Sequence, residues 1–72
     1  MNKFNGKNLR ELRQNLGLTL EDLKHELQVQ LKWKITTASL LNWELNKFQP
    51  NSGAISSLAN FFKVDMEYFF KK

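Results

Sequence analysis

Apolar residues recur along this chain at the three- and four-residue spacing that lets a helix bury one face. The first such stripe consists of Leu9, Leu12 and Leu16. Asn5 is suited to cap the start of that helix, and Gly17 is suited to adopt the left-handed conformation that ends it. We therefore predict a first helix that starts near Asn5 and ends before Gly17.

A second helix is predicted to start at the sequence TLED, because Thr19 and Asp22 have the spacing of a capping box. Leu20, Leu23 and Leu27 have the spacing of its inward face. The following residues, QVQLKWKI, alternate apolar and polar positions as a strand would. Because an isolated strand would have no partner, we expect a helix end that runs into an extended loop.

The third helical segment, ITTASLLNWELN, has an outer face without bulky core residues. Thr36 or Thr37 is suited to cap it, and Leu40 and Trp43 have the spacing of an inward face. The small or polar outward positions are Thr37, Ala38, Ser39 and Asn42. A DNA major groove is about 12 Å wide and admits a helix whose outer side chains leave room for approach. The pattern favours a helix-turn-helix whose second helix contacts base edges.

Two further helical segments follow Pro50. Asn51 or Ser52 is suited to cap a fourth helix, and Asp65 a short fifth helix with the sequence MEYFFKK. Five short helices without a convincing strand predict a compact all-α fold. A chain of 72 residues is expected to form a single domain, residues 1–72.

The charge distribution along the chain adds to this interpretation. The net charge is +4, from 11 basic and 7 acidic residues. Between Leu27 and Val64 the only acidic residue is Glu44. Four lysines lie in the same stretch, namely Lys32, Lys34, Lys47 and Lys63. A basic middle favours a polyanionic partner, although a charge of this size is also ordinary for a soluble protein.

Three segments, in the same order, resemble the Cro/C1-type (XRE-like) helix-turn-helix repressors of phages and bacteria. They are LRELRQNLGLTLEDL, ITTASLLNWELNKFQP and SSLANFFKVDMEYFF, and they cover most of the chain. The resemblance implies a lambda-repressor-like fold whose third helix enters the major groove of double-stranded DNA. It further implies a phage-type or mobile-element transcriptional regulator that needs no cofactor. The absence of cysteine fits an expected location in a reducing cytoplasm.

The resemblance also implies roles for individual residues. Arg13 and Glu44 are expected to form a partly buried structural ion pair. The expected base-reading residues are Thr37, Ala38, Ser39 and Asn42. The expected phosphate-binding residues are Thr36, Lys32, Lys34, Lys47 and Gln49. The alternative for both sets is an ordinary solvated polar surface.

The chain departs from the family pattern at two places. Leu20 stands where relatives commonly have a glutamine that holds a phosphate. The segment QVQLKWK lengthens the connection between the second and third helices, which would allow Lys32 and Lys34 to replace part of that phosphate contact. Trp33, in the same segment, is expected to pack against the domain rather than to be exposed.

Other functions receive less support from the sequence. His25 is the only histidine, and neither a glycine-rich phosphate loop nor a nucleophile elbow is present, so we do not expect an enzyme. No apolar run is long enough to cross a membrane.

A protein-interaction module, such as an antitoxin or an antirepressor-binding protein, is the alternative function. Four aromatic residues are difficult to bury together in so small a core, namely Trp33, Phe48, Tyr68 and Phe70. Tyr68 and Phe70 are also candidates for a homodimer contact through the C-terminal helix. The chain is either such a weak dimer or the DNA-binding part of a longer repressor.

Overall fold

The computed structural model describes residues 3–72. Its α-helices are α1 (Gly6–Asn15), α2 (Leu20–Leu31), α3 (Thr37–Glu44) and α4 (Ser52–Phe62), and a 3-10 helix (Met66–Phe70) follows them. No strand occurs within residues 3–72, which confirms the all-α prediction. The expected fifth helix is a short 3-10 helix rather than an α-helix. None of these helices is long and apolar enough to cross a membrane.

The helix starts follow local capping chemistry. The residues whose side chains accept a backbone N–H at a helix start are Asn5, Thr19, Thr36 and Asn51. Thr19 and Asp22 form a complete capping box, with both hydrogen bonds at 3.0 Å. Asp65 precedes the 3-10 helix, but its side chain makes no capping hydrogen bond. Of the alternatives left open, the structure therefore selects Thr36 at α3 and Asn51 at α4.

Left-handed residues occur at four turns within residues 3–72. Gly17 has a φ of 71°, as expected for the turn between α1 and α2, and Asn46 has a φ of 60° after α3. Lys32 and Lys63 also have positive φ, at the ends of α2 and α4. A left-handed lysine is unusual, because its Cβ crowds the backbone, and no sequence pattern predicted either lysine in this conformation.

The core lies where α1, α2, α3, α4 and the 3-10 helix meet. Its buried apolar residues are Phe4, Leu9, Leu23, Leu27, Leu40, Ile55, Leu58, Ala59 and Phe69. The predicted stripe on α1 is wrong at Leu16, whose side chain is 59% exposed. The helix ends at Asn15, so the chain turns before Leu16 can face the core, and Leu18 packs against the core cluster instead.

The two ends of the described chain are bound to each other. The ring of Phe4 stacks on that of Phe69 with 5.5 Å between centroids. The buried amide of Asn8 donates hydrogen bonds to the carbonyl oxygens of Tyr68 (2.9 Å) and Lys71 (2.7 Å). The 3-10 helix is therefore held against α1 by both apolar and polar contacts.

Candidate nucleic-acid interface

The helix that the sequence predicts to read bases, α3, is held by both helices before it. It packs against α1 and α2, and Leu40 on its inner face is fully buried. At its start, the Thr36 hydroxyl accepts a hydrogen bond from the Ser39 backbone N–H and donates one to the Ser39 hydroxyl, both at 3.1 Å. The position and the first turn of α3 are therefore set before any ligand binds.

An ion pair fixes the other end of α3. Arg13 on α1 donates from Nε to Glu44 Oε2 at 2.7 Å and from Nη2 to Glu44 Oε1 at 3.1 Å. Its Nη1 donates to the carbonyl oxygen of Leu18 at 2.7 Å. The Glu44 side chain is 2% exposed and that of Arg13 12%. The structure thus brings together the two residues that the resemblance pairs, and the same guanidinium holds the turn between α1 and α2.

The start of α1 approaches the end of α3 very closely. A Cβ atom at Gly6 would lie 2.5 Å from the backbone oxygen of Glu44 and closer still to that of Trp43. The Gly6 N–H donates to Asn46 Oδ1 at 2.8 Å, which ties the left-handed residue after α3 to the same place. Only glycine permits this approach, because any side chain would meet backbone rather than a movable group.

The four predicted base-reading residues all lie at the surface of α3. Ala38 is exposed, whereas Thr37, Ser39 and Asn42 are partly buried, and none of the four belongs to the core. The Ser39 hydroxyl already takes part in the helix cap. Thr37, Ala38 and Asn42 therefore have the most freedom to contact a base edge.

The outer face of α3 also contains two residues that the sequence interpretation missed. Leu41 is 42% exposed and Leu45 is 50% exposed. At 3.6 residues per turn they lie on the same side of the helix as Ala38 and Asn42. Their spacing of three and seven residues from Ala38 agrees with this position, but spacing in so short a helix does not show which face the other helices cover. The face is consequently more apolar than the predicted small and polar surface.

The predicted phosphate-binding residues lie in the two connections that flank α3. Lys32 and Lys34 are exposed before the helix, as is the capping residue Thr36. Lys47 and Gln49 are exposed after it. The backbone N–H of Lys47 donates to the Asn42 carbonyl at 2.9 Å, so the second connection folds back on the last turn of α3.

The exposed charged residues that flank α3 are all positive. Glu44 is the only acidic residue between Leu27 and Val64, and Arg13 neutralises it inside the domain. The exposed lysines on both sides of α3 therefore have no acidic neighbour within this stretch of sequence. A surface of this kind attracts polyanions.

The connection before α3 is packed rather than free. The Trp33 ring lies 6.0 Å from that of Trp43, centroid to centroid, and Trp33 packs against the core cluster. Its backbone N–H donates to the Leu27 carbonyl at 3.3 Å. The expected packing of Trp33 is found, and it gives Lys32 and Lys34 a fixed backbone between them.

Two further positions named by the sequence analysis are His25 and Leu20. His25 is exposed on α2, and no group of three potential metal ligands occurs in the described part of the chain. Leu20, at the position where relatives hold a phosphate, is partly buried against the core. An aliphatic side chain offers a phosphate no hydrogen bond, so any phosphate contact at the start of α2 must come from other residues.

The arrangement of α2, the connection and α3 defines a helix-turn-helix: a supporting helix followed by a short helix with one free face. Comparison with known proteins agrees with this class. The family model for the helix-turn-helix domain matches residues 6–72, and the chain belongs to this family of DNA-binding regulatory domains. No curated protein and no solved structure matches the chain significantly.

Proposed function

We propose that the chain binds specific sequences of double-stranded DNA as a phage-type or mobile-element transcriptional regulator, with α3 in the major groove. The observation that carries this proposal is the surface of α3: accessible small and amide side chains lie between lysines, and the one acidic residue of the region is buried. Residues 1–72 would act as one DNA-binding domain, in the manner of the Cro/C1-type repressors that the chain resembles.

Base recognition would depend mainly on Asn42. An asparagine amide can bond the N6 and N7 atoms of one adenine, and this is among the commonest specific contacts in a major groove. Ala38 is small enough for close approach, and Thr37 and Ser39 can donate to or accept from bases or phosphates.

Phosphate contacts would hold the helix in place. Lys47 and Gln49 follow α3 directly, and Thr36, Lys32 and Lys34 precede it, so backbone contacts are available on both sides of the base-reading face. Such contacts set position and affinity without reading sequence. Each neutralised phosphate gives the logarithm of the binding constant a slope of about −0.9 against the logarithm of the salt concentration.

A random-site selection with the purified protein, followed by titrations at several salt concentrations, tests the proposal. Asn42→Ala should weaken binding to the selected duplex by about 1–3 kcal/mol and relax preference at one base pair. Asn60→Ala is the matched control, because Asn60 is an exposed asparagine on α4. Unchanged affinity and preference in the Asn42 variant would contradict the assigned reading face.

A second measurement separates phosphate contacts from base contacts. Lys47→Gln should weaken binding to all duplexes alike and reduce the salt slope by about one. Lys63→Gln is the control, because Lys63 lies at the other end of α4 beside Asp65 and Glu67. Equal effects of the two variants would mean that only net charge matters.

One observation favours a second function, a protein-interaction module of the antitoxin or antirepressor-binding kind. Phe48, in the connection after α3, is 66% exposed. An exposed aromatic residue can mark a protein-binding surface. An apolar protein interface should depend little on salt, whereas DNA binding through phosphates should weaken steeply. The salt titration therefore distinguishes the two functions.

We further infer a homodimer through the 3-10 helix. Tyr68 and Phe70 are both partly buried, whereas Phe69 between them is fully buried. The described residues extend over 33 × 22 × 20 Å. Dimers of helix-turn-helix domains bind two half-sites about 34 Å apart, a length similar to the longest dimension of this domain. Sedimentation with and without DNA tests this, and a 1:1 complex on a non-palindromic site would contradict it.

A further inference from the structure

The outer face of α3 carries an apolar ridge, which we define as Ala38, Leu41 and Leu45. The leucines are 42% and 50% exposed, and neither is among the partly buried hydrophobic residues that pack against the core. A single exposed leucine is ordinary, but here three apolar residues are neighbours on one side of one helix. The base-reading scheme proposed above uses Ala38 and leaves the two leucines without a role.

The surroundings of the ridge favour a nucleic acid over a protein as its occupant. Lys47 follows the ridge directly and is exposed, and the only acidic side chain of α3, Glu44, is buried in its pair with Arg13. Apolar contacts that are bordered by uncompensated positive charge suit the major groove. In that groove thymine is the base that presents a methyl group.

The helix geometry places the ridge next to the proposed adenine contact. Residues advance by about 100° around an α-helix, so Leu41 and Asn42 lie on opposite sides of the line through Ala38 and Leu45. Leu41 lies in the middle of α3, where its side chain is free of the capping contacts at Thr36. It would therefore face a base pair close to the one that Asn42 contacts.

We propose that Leu41 contacts the 5-methyl group of a thymine, with Ala38 beside it, and that the preferred DNA site consequently contains thymine close to the adenine bound by Asn42. This inference rests on the proposed DNA-binding function. Leu45 extends the ridge by one turn, toward the sugar and backbone at the edge of the groove. Base discrimination by α3 thus combines one amide contact with one apolar contact.

Deoxyuridine substitution tests the proposal directly. Deoxyuridine pairs with adenine as thymine does but lacks the methyl group. In the duplex obtained by random-site selection, each thymine is replaced in turn, and the dissociation constant is measured for the wild-type protein and for Leu41→Ala. One or two replacements should weaken wild-type binding about fourfold, which corresponds to one buried CH₂ group. The same replacements should leave binding by Leu41→Ala unchanged.

Leu16→Ala serves as the matched control, because it removes an exposed leucine from α1 instead of α3. It should retain the full wild-type response to deoxyuridine. If the protein binds the selected duplex specifically and no deoxyuridine replacement changes its dissociation constant, the thymine contact is wrong. The proposed DNA-binding function would not be contradicted by that result. An equal methyl response in Leu41→Ala would also overturn it.

Two other results would show that the ridge does not contact thymine. If Leu41→Ala alters sedimentation while the deoxyuridine responses stay as in the wild type, the ridge is a protein-binding surface, and the proposal is wrong. If the selection enriches no duplex at low salt, the proposed function fails together with the thymine contact. Failure of the function and failure of this inference are therefore distinct results.

Discussion

Removal of Arg13 should destabilise the domain far more than removal of any exposed charge. Arg13→Met keeps much of the side-chain volume but leaves Glu44 without a partner at a site where its side chain is 2% exposed. Breaking a buried pair from one side typically costs about 3–5 kcal/mol, because an uncompensated charge stays inside. An exposed ion pair would contribute about 0–1 kcal/mol.

The lost free energy of unfolding is large relative to the total stability of so small a domain. A chain of 72 residues has a total stability of roughly 4–11 kcal/mol at the usual value per residue. A loss of about 3 kcal/mol is therefore a large part of the total. It should lower the melting temperature by roughly 12–24 °C, since one kcal/mol corresponds to about 4–8 °C in a domain of this size.

Urea unfolding followed by circular dichroism at pH 7 measures the effect, with equal m-values as the check that the folded states are comparable. The double variant Arg13→Met/Glu44→Leu should lose less stability than either single variant, because it buries no unpaired charge. It still leaves the Leu18 carbonyl without its donor, which costs about 1 kcal/mol. Single losses below about 1 kcal/mol that simply add would refute a buried, coupled pair.

Three further substitutions test a close backbone approach, a helix cap and an aromatic contact. Gly6→Ala should destabilise the domain by about 2–3 kcal/mol in urea unfolding, because its Cβ would meet the backbone of Glu44, and a loss below about 0.5 kcal/mol would contradict this. The hydrogen bond that the Thr19 backbone N–H donates to the Asp22 carboxylate lowers the pKa of Asp22 from 3.8, and the Thr19 side chain adds to this effect. The stability from this cap is therefore present above pH 3.8 and is lost as the pH falls through the folded-state value. Asp22→Asn should remove that part of the acid dependence, whereas Asp65→Asn, at an N-cap without a side-chain hydrogen bond, should not. Trp33→Ala should cost about 1–3 kcal/mol by opening its tryptophan contact, and an unchanged melting temperature would mean that the ring packs only loosely.

The parts of the fold that could be predicted are those that depend on neighbours in sequence. The caps at Asn5, Thr19 and Asn51 involve residues two or three positions apart, so the pattern of donors and acceptors is readable from the chain. The left-handed turn at Gly17 is similarly local. The signal at Gly17 marked the end of α1 but not the burial of the residue before it, and Leu16 was assigned to the inward stripe although it is exposed.

The parts that could not be predicted depend on contacts between distant residues. Asn8 reads as an ordinary polar residue of a first helix, yet it is buried and binds the carbonyls of Tyr68 and Lys71. In the sequence Gly6 is an ordinary residue at a helix start, but in the structure it permits the close approach of the end of α3 to the start of α1. The exposure of Leu41 depends on which face of α3 the other helices cover, which periodicity in an eight-residue helix does not define.

The short length of α3 separates stability from recognition. A helix of eight residues is unstable alone in water, because too few hydrogen bonds offset the cost of nucleation. Its conformation must therefore come from the inner side, through the buried Leu40, the paired Glu44 and the Thr36 cap. Substitutions there should change stability and DNA affinity together. Substitutions at Leu41 or Asn42, on the outer side, should change affinity alone, so the two measurements plotted against each other should fall into two groups.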